Sequence, residues 1–261
     1  MTTDNFPKVR STNIGSGKIV AVAKGAGMIE PNMATMLLFI LTDIKVSRRD
    51  LDVILKRVID STFNRISIDS DQSTSDTALI FSSNLIDGVD LKSFEDGLLS
   101  ICKDLSQDVV RNGEGTSHVL EVTIKGSESV ESAELIGKAV INAPLVKSAI
   151  YGNDPNLGRI IQAIGDVTGT NGIYINPDKL TLSMGGEILY KDGVFTLNEE
   201  LELKLNSYLK SRMLNEKAIG YPEHRNNVNI VVDLHIGNYE STVYGSDLSY
   251  EYVRENADYR S

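Results

Sequence analysis

A chain of 261 residues, 41% hydrophobic and 24% charged, can bury a core large enough for one big domain or two smaller ones. Its 36 acidic against 26 basic side chains give a net charge of -10, which argues against nonspecific nucleic-acid binding, because phosphate contacts need clustered Lys and Arg. No apolar run approaches the roughly 18 to 20 residues of a membrane-spanning helix, no basic-then-apolar leader opens the chain, and one cysteine, Cys102, excludes an internal disulfide.

Residues 18–23 and 35–42 read as strands. The second is apolar on both faces, which predicts a central strand covered on both sides. Gly15-Ser-Gly-Lys18 differs from a phosphate loop, since Thr12 stands where the first glycine belongs and Ile19 where a magnesium-binding hydroxyl is needed; a hairpin turn fits better. An amphipathic helix spans 47–63, opened by Ser47 with Asp50 three residues on, and 77–82 is a short strand. A second helix covers 94–111, ends at Asn112-Gly113 and holds Cys102 as a buried, inert thiol. Residues 118–124 alternate as a strand. Helix-period segments follow at 129–141 and 145–151, with a third opening at Asn156 or Gly158. Later strands are expected at 172–175, 179–184, 187–190 and 227–234, with a polar helix at 198–210 among them. The class is mixed α+β with layered sheets. The polar stretch 125–131 is the only candidate boundary, and no repeat is present.

Chemistry concentrates in Lys24-Gly-Ala-Gly-Met-Ile-Glu-Pro-Asn-Met-Ala34-Thr35. A hydroxyl delivered by a loop broken by Gly25, Gly27 and Pro31, behind the small Ala34, suits attack on its own preceding carbonyl. A threonine freed in this way has an α-amine with a reference pKa of about 7.7 to 8, able to serve as base to its own Oγ. The same pattern also fits a threonine that merely opens a buried strand. Taken by itself, Lys24 reads as a solvated strand-end lysine, Glu114 as an exposed turn residue, and the last six residues as a frayed tail. His118, His224 and His235 lack zinc-ligand spacing, and composition leaves a Ser-His-Asp triad open without a Gly-x-Ser-x-Gly elbow. Asp69, Asp71 and Asp76 suit calcium or a turn held by its own side chains. The missing glycine and terminal glutamate favour the turn.

Met1-Thr-Thr-Asp4, Ala23-Lys-Gly-Ala-Gly-Met28, Met33-Ala-Thr-Met-Leu37, the tract from Asp69 to Asp76, Asp108-Val-Val-Arg-Asn-Gly-Glu-Gly115, Ile150 to Arg159 and the tail from Asp247 to Ser261 occur in order over the whole chain. Together they resemble the ornithine acetyltransferase family, also called glutamate N-acetyltransferase, of arginine biosynthesis. The resemblance implies a layered α/β/β/α sandwich similar to self-processing enzymes with an N-terminal nucleophile. It makes residues 1–34 the end of an α subunit and 35–261 a β subunit, with cleavage at Ala34-Thr35 exposing Thr35 as nucleophile. It further implies ping-pong transfer of acetyl from N2-acetyl-L-ornithine to L-glutamate, with Thr2, Lys24, Thr35, Glu114, Asn256 and Ser261 contacting substrate. No metal or cofactor is implied, although some relatives also accept acetyl-CoA as donor. An oxyanion-binding Thr-Gly pair belongs to the α half, so a separately encoded α half is an implied partner. The assembly expected is two α and two β chains, located in the cytoplasm, or in the mitochondrial matrix of a eukaryote. Leu157, Ser75 and His118 depart from the usual Trp, Asn and Lys, and none of these removes a catalytic group. Two other outcomes are weighed: an aminopeptidase or amidase of related fold, where water takes the acyl group, and a noncatalytic remnant.

Overall fold

The computed structural model describes residues 4, 6–30, 36–72, 77–214 and 226–258. Thr2, Ala34, Thr35, His224, Ser261 and the segment 73–76 lie outside them. The chain forms two compact units, Met1–Glu114 and Gly115–Ser261. The division falls after Glu114 and not in the polar stretch 125–131, because a sheet strand runs into that stretch and is paired on both edges.

In the first unit β1 (Lys8–Ile14) and β2 (Gly17–Lys24) form an antiparallel hairpin turning at Gly15, whose φ is +60°. Next comes β3 (Leu37–Ile44), antiparallel to β2. Helix α1 (Arg48–Ser61) starts as expected, with Ser47 Oγ accepting from the Asp50 N–H at 3.2 Å. After a 3-10 turn and the two-residue β4 (Ile66–Ser67), β5 (Thr77–Ile86) lies parallel to β3, so the sheet order is β1-β2-β3-β5. A parallel neighbour requires a long crossover, and α1 supplies it. Helix α2 (Leu91–Arg111), capped by Asp90, lies across β1 and β2 and packs on α1. Cys102 is fully buried in α2, and burial pushes its thiol up to about 12.

The helix-facing side of this sheet is dry, with Ile19, Ala21, Ala23, Leu38, Ile40 and Ile44 all buried. The opposite side corrects the expectation for β3. By register, Val9, Val22, Phe39 and Leu79 stand in one cross-strand row and Val20, Leu41 and Phe81 in the next. Phe39, Leu41 and Phe81 remain 39%, 52% and 53% exposed. The strand is interior to its sheet, as expected, but among the described residues its second face stays partly exposed.

The second unit is built on β6 (Val119–Ser127). Strand β10 (Val228–Asp233) pairs with it in parallel and β11 (Tyr239–Ser246) antiparallel. Beyond β10 the strands β7 (Thr181–Met184), β8 (Glu187–Lys191) and β9 (Val194–Phe195) continue as a meander. Helix α3 (Val130–Asn142) packs on β6 and β11, α4 (Pro144–Tyr151) and α5 (Leu157–Asn171) follow it, and α6 (Glu199–Arg212) and α7 (Tyr250–Ala257) complete the unit. Leu120, Val122, Ile124, Ile136, Val140, Ile160, Leu182, Ile230 and Val243 meet in its core. The strand expected at 172–175 does not form. Gly172 closes α5 in the left-handed region at φ 65°, and the Ile173 N–H returns to the Thr168 carbonyl at 2.9 Å, which commits those residues to a helix cap.

Strand β1 is tied to α2 by Arg10, whose Nε and Nη2 donate to Asp108 Oδ2 and Oδ1 at 2.6 and 2.8 Å, and the Asp108 side chain is fully buried. Breaking a buried ion pair typically costs about 3 kcal/mol or more. Arg10→Met is accordingly expected to lower stability by about 3 kcal/mol in urea titrations of the chain; a loss under about 1 kcal/mol would contradict this role.

Candidate active site

Lys24 is the last residue of β2 and sits opposite Leu37 of β3. Alternation along β2 puts its exposed side chain on the same face as Val20 and Val22, away from the helices. The loop that follows is held at several points. Its Gly25 N–H donates to Asp4 Oδ2 at 3.0 Å, and Asp4 also pairs with the buried Lys8 ammonium. The Met28 and Ile29 N–H groups donate to the two carboxylate oxygens of Asp69, at 2.6 and 2.9 Å. The Ile68 N–H donates to the Ile29 carbonyl at 2.7 Å and the Glu30 N–H to the Asp71 carbonyl at 3.0 Å.

Glu114 reaches this loop from the end of α2. Asn112 caps that helix, its amide Nδ2 donating to the Asp108 carbonyl at 2.7 Å, and the chain turns so that the Glu114 N–H donates to the Ala26 carbonyl at 2.8 Å. The Glu114 carboxylate then lies directly over Gly27, where an added Cβ would stand 2.3 Å from Oε2. A residue that reads as an exposed turn in the sequence is half-buried here and seated on the loop next to Lys24. The structure thus places Glu114 on the loop that follows Lys24 in the first unit.

In the second unit the segment after Glu114 is clasped to the C-terminal region. Gly115, at φ +61°, packs so tightly on α7 that a Cβ would stand 2.2 Å from the Tyr252 nitrogen. Ser249 caps α7 by accepting from the Tyr252 N–H at 3.0 Å and donates its own hydroxyl to the Gly115 carbonyl at 2.6 Å. Asp247 accepts from the Ser117 N–H at 2.9 Å, from the Ser117 hydroxyl and from His118 Nδ1 at 2.8 Å, and His118 Nε2 faces the Leu209 carbonyl at 3.2 Å. Ser117, His118 and Asp247 do not form a catalytic triad. Serine and aspartate both meet the same ring nitrogen, whereas relay chemistry needs them on opposite nitrogens. Asn256 is exposed on α7, its Nδ2 donating to the Tyr252 carbonyl at 3.0 Å.

Sequence reasoning missed Asp69, Asp4 and Asp247 as holding residues. Asp69 lies in the acidic tract read as calcium site or turn, and both its oxygens are taken by backbone N–H donors forty residues upstream, a role no local pattern reveals. Among the described residues no cluster of three or more His, Cys, Asp or Glu is arranged to hold a metal.

A family model for the ArgJ family matches residues 1–261. The chain belongs to the ArgJ family. It is 41% identical over 259 residues to the arginine biosynthesis bifunctional protein ArgJ 2 of Clostridium acetobutylicum, covering 99% of this chain and 62% of that protein. It is 40% identical to the glutamate N-acetyltransferase of Methanocaldococcus jannaschii, covering 99% of this chain and 64% of that one. The chain therefore spans less than two thirds of the length of these relatives. The crystal structure of the arginine biosynthesis bifunctional protein argJ from Bacillus halodurans superposes with a TM-score of 0.75 at 34% identity, over 86% of this chain and 100% of that one. The two-sheet α+β fold is thus the ArgJ fold.

The seat of Glu114 is testable at Gly27. The three atoms nearest an added Cβ at Gly27 all belong to the Glu114 carboxylate, the far end of a flexible side chain, so the melting temperature of Gly27→Ala is expected to stay within about 2 to 4 °C of wild type while the carboxylate is pushed off its position. Amide hydrogen exchange at Glu114, whose N–H donates to the Ala26 carbonyl, is expected to speed up as its side chain loses that seat. Unchanged exchange would mean that the carboxylate seat does not help to hold this turn.

Proposed function

We propose that this chain is the acetyl-carrying part of a glutamate N-acetyltransferase, which moves acetyl from N2-acetyl-L-ornithine to L-glutamate after self-cleavage at Ala34-Thr35. The observation that carries the reading is the Glu114 carboxylate seated on Gly27, in the loop that leads from Lys24 toward Ala34 and Thr35. The names of the ArgJ relatives support the reaction class.

In the first half-reaction Thr35 Oγ attacks the acetyl carbonyl. The free α-amine of Thr35 takes the hydroxyl proton and delivers it to the departing ornithine nitrogen, leaving an acetyl ester on Thr35. The amine of glutamate then attacks that ester, and its proton returns through the same amine to Thr35 Oγ. Glu114 pairs with the substrate ammonium and Lys24 with a substrate carboxylate, each a charge-assisted contact in a site that moves a neutral acetyl group. Thr2, Asn256 and Ser261 complete the substrate contacts in this reading. Acetyl-CoA is a second donor to be tested in the same assay, and the chemistry as written calls for no metal.

In cleavage Thr35 Oγ attacks the Ala34 carbonyl and the peptide C–N bond breaks, the hydroxyl proton passing to the departing Thr35 nitrogen; water then hydrolyses the resulting ester and frees the amine that serves in acetyl transfer. Support comes from chain length: residues 35–261 are 227 of the 261, close to the 86% of this chain that the whole of the Bacillus halodurans chain covers. The rest of the relatives' length supplies the oxyanion donors as an α half, assembled as two α and two β chains. The exposed rows around Phe39, Leu41 and Phe81 support a need for such a partner.

Expressed with the upstream half, the chain is expected to yield a new N-terminus at Thr35 by intact mass, and Thr35→Ala to remain whole. Persistence of the uncut wild-type chain in the assembled complex would sink the self-processing reading. Separately, Glu114→Gln should leave cleavage largely intact but lower the specificity constant for acetyl transfer about ten- to hundredfold, the worth of one charge-assisted hydrogen bond. A rate unchanged from wild type with both the ornithine-side and the glutamate-side substrate would return Glu114 to an ordinary turn residue.

A further inference from the structure

We propose that Asp69 is the positioning residue of this site: its carboxylate fixes the turn at Ala26 to Ile29 and, through that turn, the place of Glu114. The inference rests on the acetyltransferase reading above. Met28 has a φ of 55°, a left-handed conformation that a side chain bearing Cβ adopts at a cost. A left-handed residue directs its own N–H and the next one to the same side, which makes a small concave anion seat. Here an internal carboxylate fills the seat, with one oxygen for the Met28 N–H at 2.6 Å and the other for the Ile29 N–H at 2.9 Å.

The neighbouring bonds explain why this geometry matters at Glu114. Ile29 is fully buried and its carbonyl accepts from Ile68, so the far end of the turn is anchored. The near end carries the Ala26 carbonyl that accepts the Glu114 N–H, and Gly27, on which the Glu114 carboxylate rests. Between these two points the backbone conformation is set at Met28. Relaxing it from the left-handed region rotates the peptide units that seat Glu114. Asp69 bonds to the backbone of the turn and acts through it. An asparagine is a poor substitute, since its one carbonyl oxygen meets one N–H and its amide nitrogen presents a second donor to the other.

The test uses the complete enzyme with Asp69→Asn, Glu114→Gln and the double variant. If Asp69 works through Glu114, Asp69→Asn lowers the specificity constant for glutamate roughly tenfold in the wild-type background and less than about twofold on top of Glu114→Gln. Glycine adopts the left-handed region freely, so Met28→Gly added to Asp69→Asn should restore part of the loss and also rescues a variant that folds poorly. Full additivity with Glu114→Gln, or an Asp69→Asn enzyme as active as wild type, would overturn the proposal. Amide hydrogen exchange separates it from the reaction itself. Should the wild-type enzyme transfer no acetyl, the function reading fails, while faster exchange at Met28, Ile29 and Glu114 in Asp69→Asn still supports the clamp and unchanged exchange refutes it.

Discussion

The register of β2 against β3 governs the first unit. Lys24 and Leu37 are opposite each other in an antiparallel pair, so residues 25–36 form an excursion that must leave and re-enter at one end of the sheet. Two residues suffice for a tight hairpin, so this longer connection has backbone to offer groups outside the pair. The described part of the loop shows how: Asp4 at its start, Asp69 in its middle, and the backbone of Ile68 and Asp71 at its end. Glu114 arrives on a loop already stiffened by these contacts.

In the second unit a buried charge does comparable work. The Asp247 carboxylate is fully enclosed and is matched by the Ser117 N–H, the Ser117 hydroxyl and the His118 ring, while the other ring nitrogen of His118 meets a carbonyl near the C-terminal end of α6. Both nitrogens therefore face oxygen acceptors. Burial of such a pair is tolerable because nearly every polar site has a partner. The clasp joins the start of β6, the end of β11 and the last turn of α6. It also fixes the strand end from which Ser249 and α7 continue toward Asn256.

Much of this was legible in the sequence, where local pattern and final environment agree. The helices at Ser47, Phe94 and Ser129 and the strands around Val122 and Ile230 follow from apolar spacing and caps, and the structure places them within a few residues. Strand β11 escaped notice because Tyr-Glu-Ser-Thr-Val-Tyr-Gly-Ser has little apolar alternation; its pairing is stabilised across the sheet, for instance by the Thr123 and Thr242 hydroxyls 2.9 Å apart. Helix α7 was hidden in a tail too polar to announce itself. At Gly172 the apolar residues that follow suggested a strand, but the glycine's left-handed cap prevailed. For the site, motif resemblance pointed to Lys24 and Glu114, and the structure places Glu114 on the loop after Lys24. Asp69 stayed hidden because its partners are backbone amides, which look alike at every position in a sequence.

Cys102 gives the first unit a built-in reporter. It is the chain's one thiol, and it lies at zero exposure in the helix that covers the sheet. With its ionisation pushed up to about 12, the folded thiol offers a disulfide reagent almost no thiolate. Labelling must therefore wait for α2 to lift from β1 and β2. In the limit where reclosing outruns labelling, the rate measured across reagent concentrations yields the free energy of that opening. Because Gly115–Ser261 contains no cysteine, the same reaction stays silent about the second unit. The energetics of the half that carries Lys24 and Glu114 can thus be followed separately in the intact, unmodified chain.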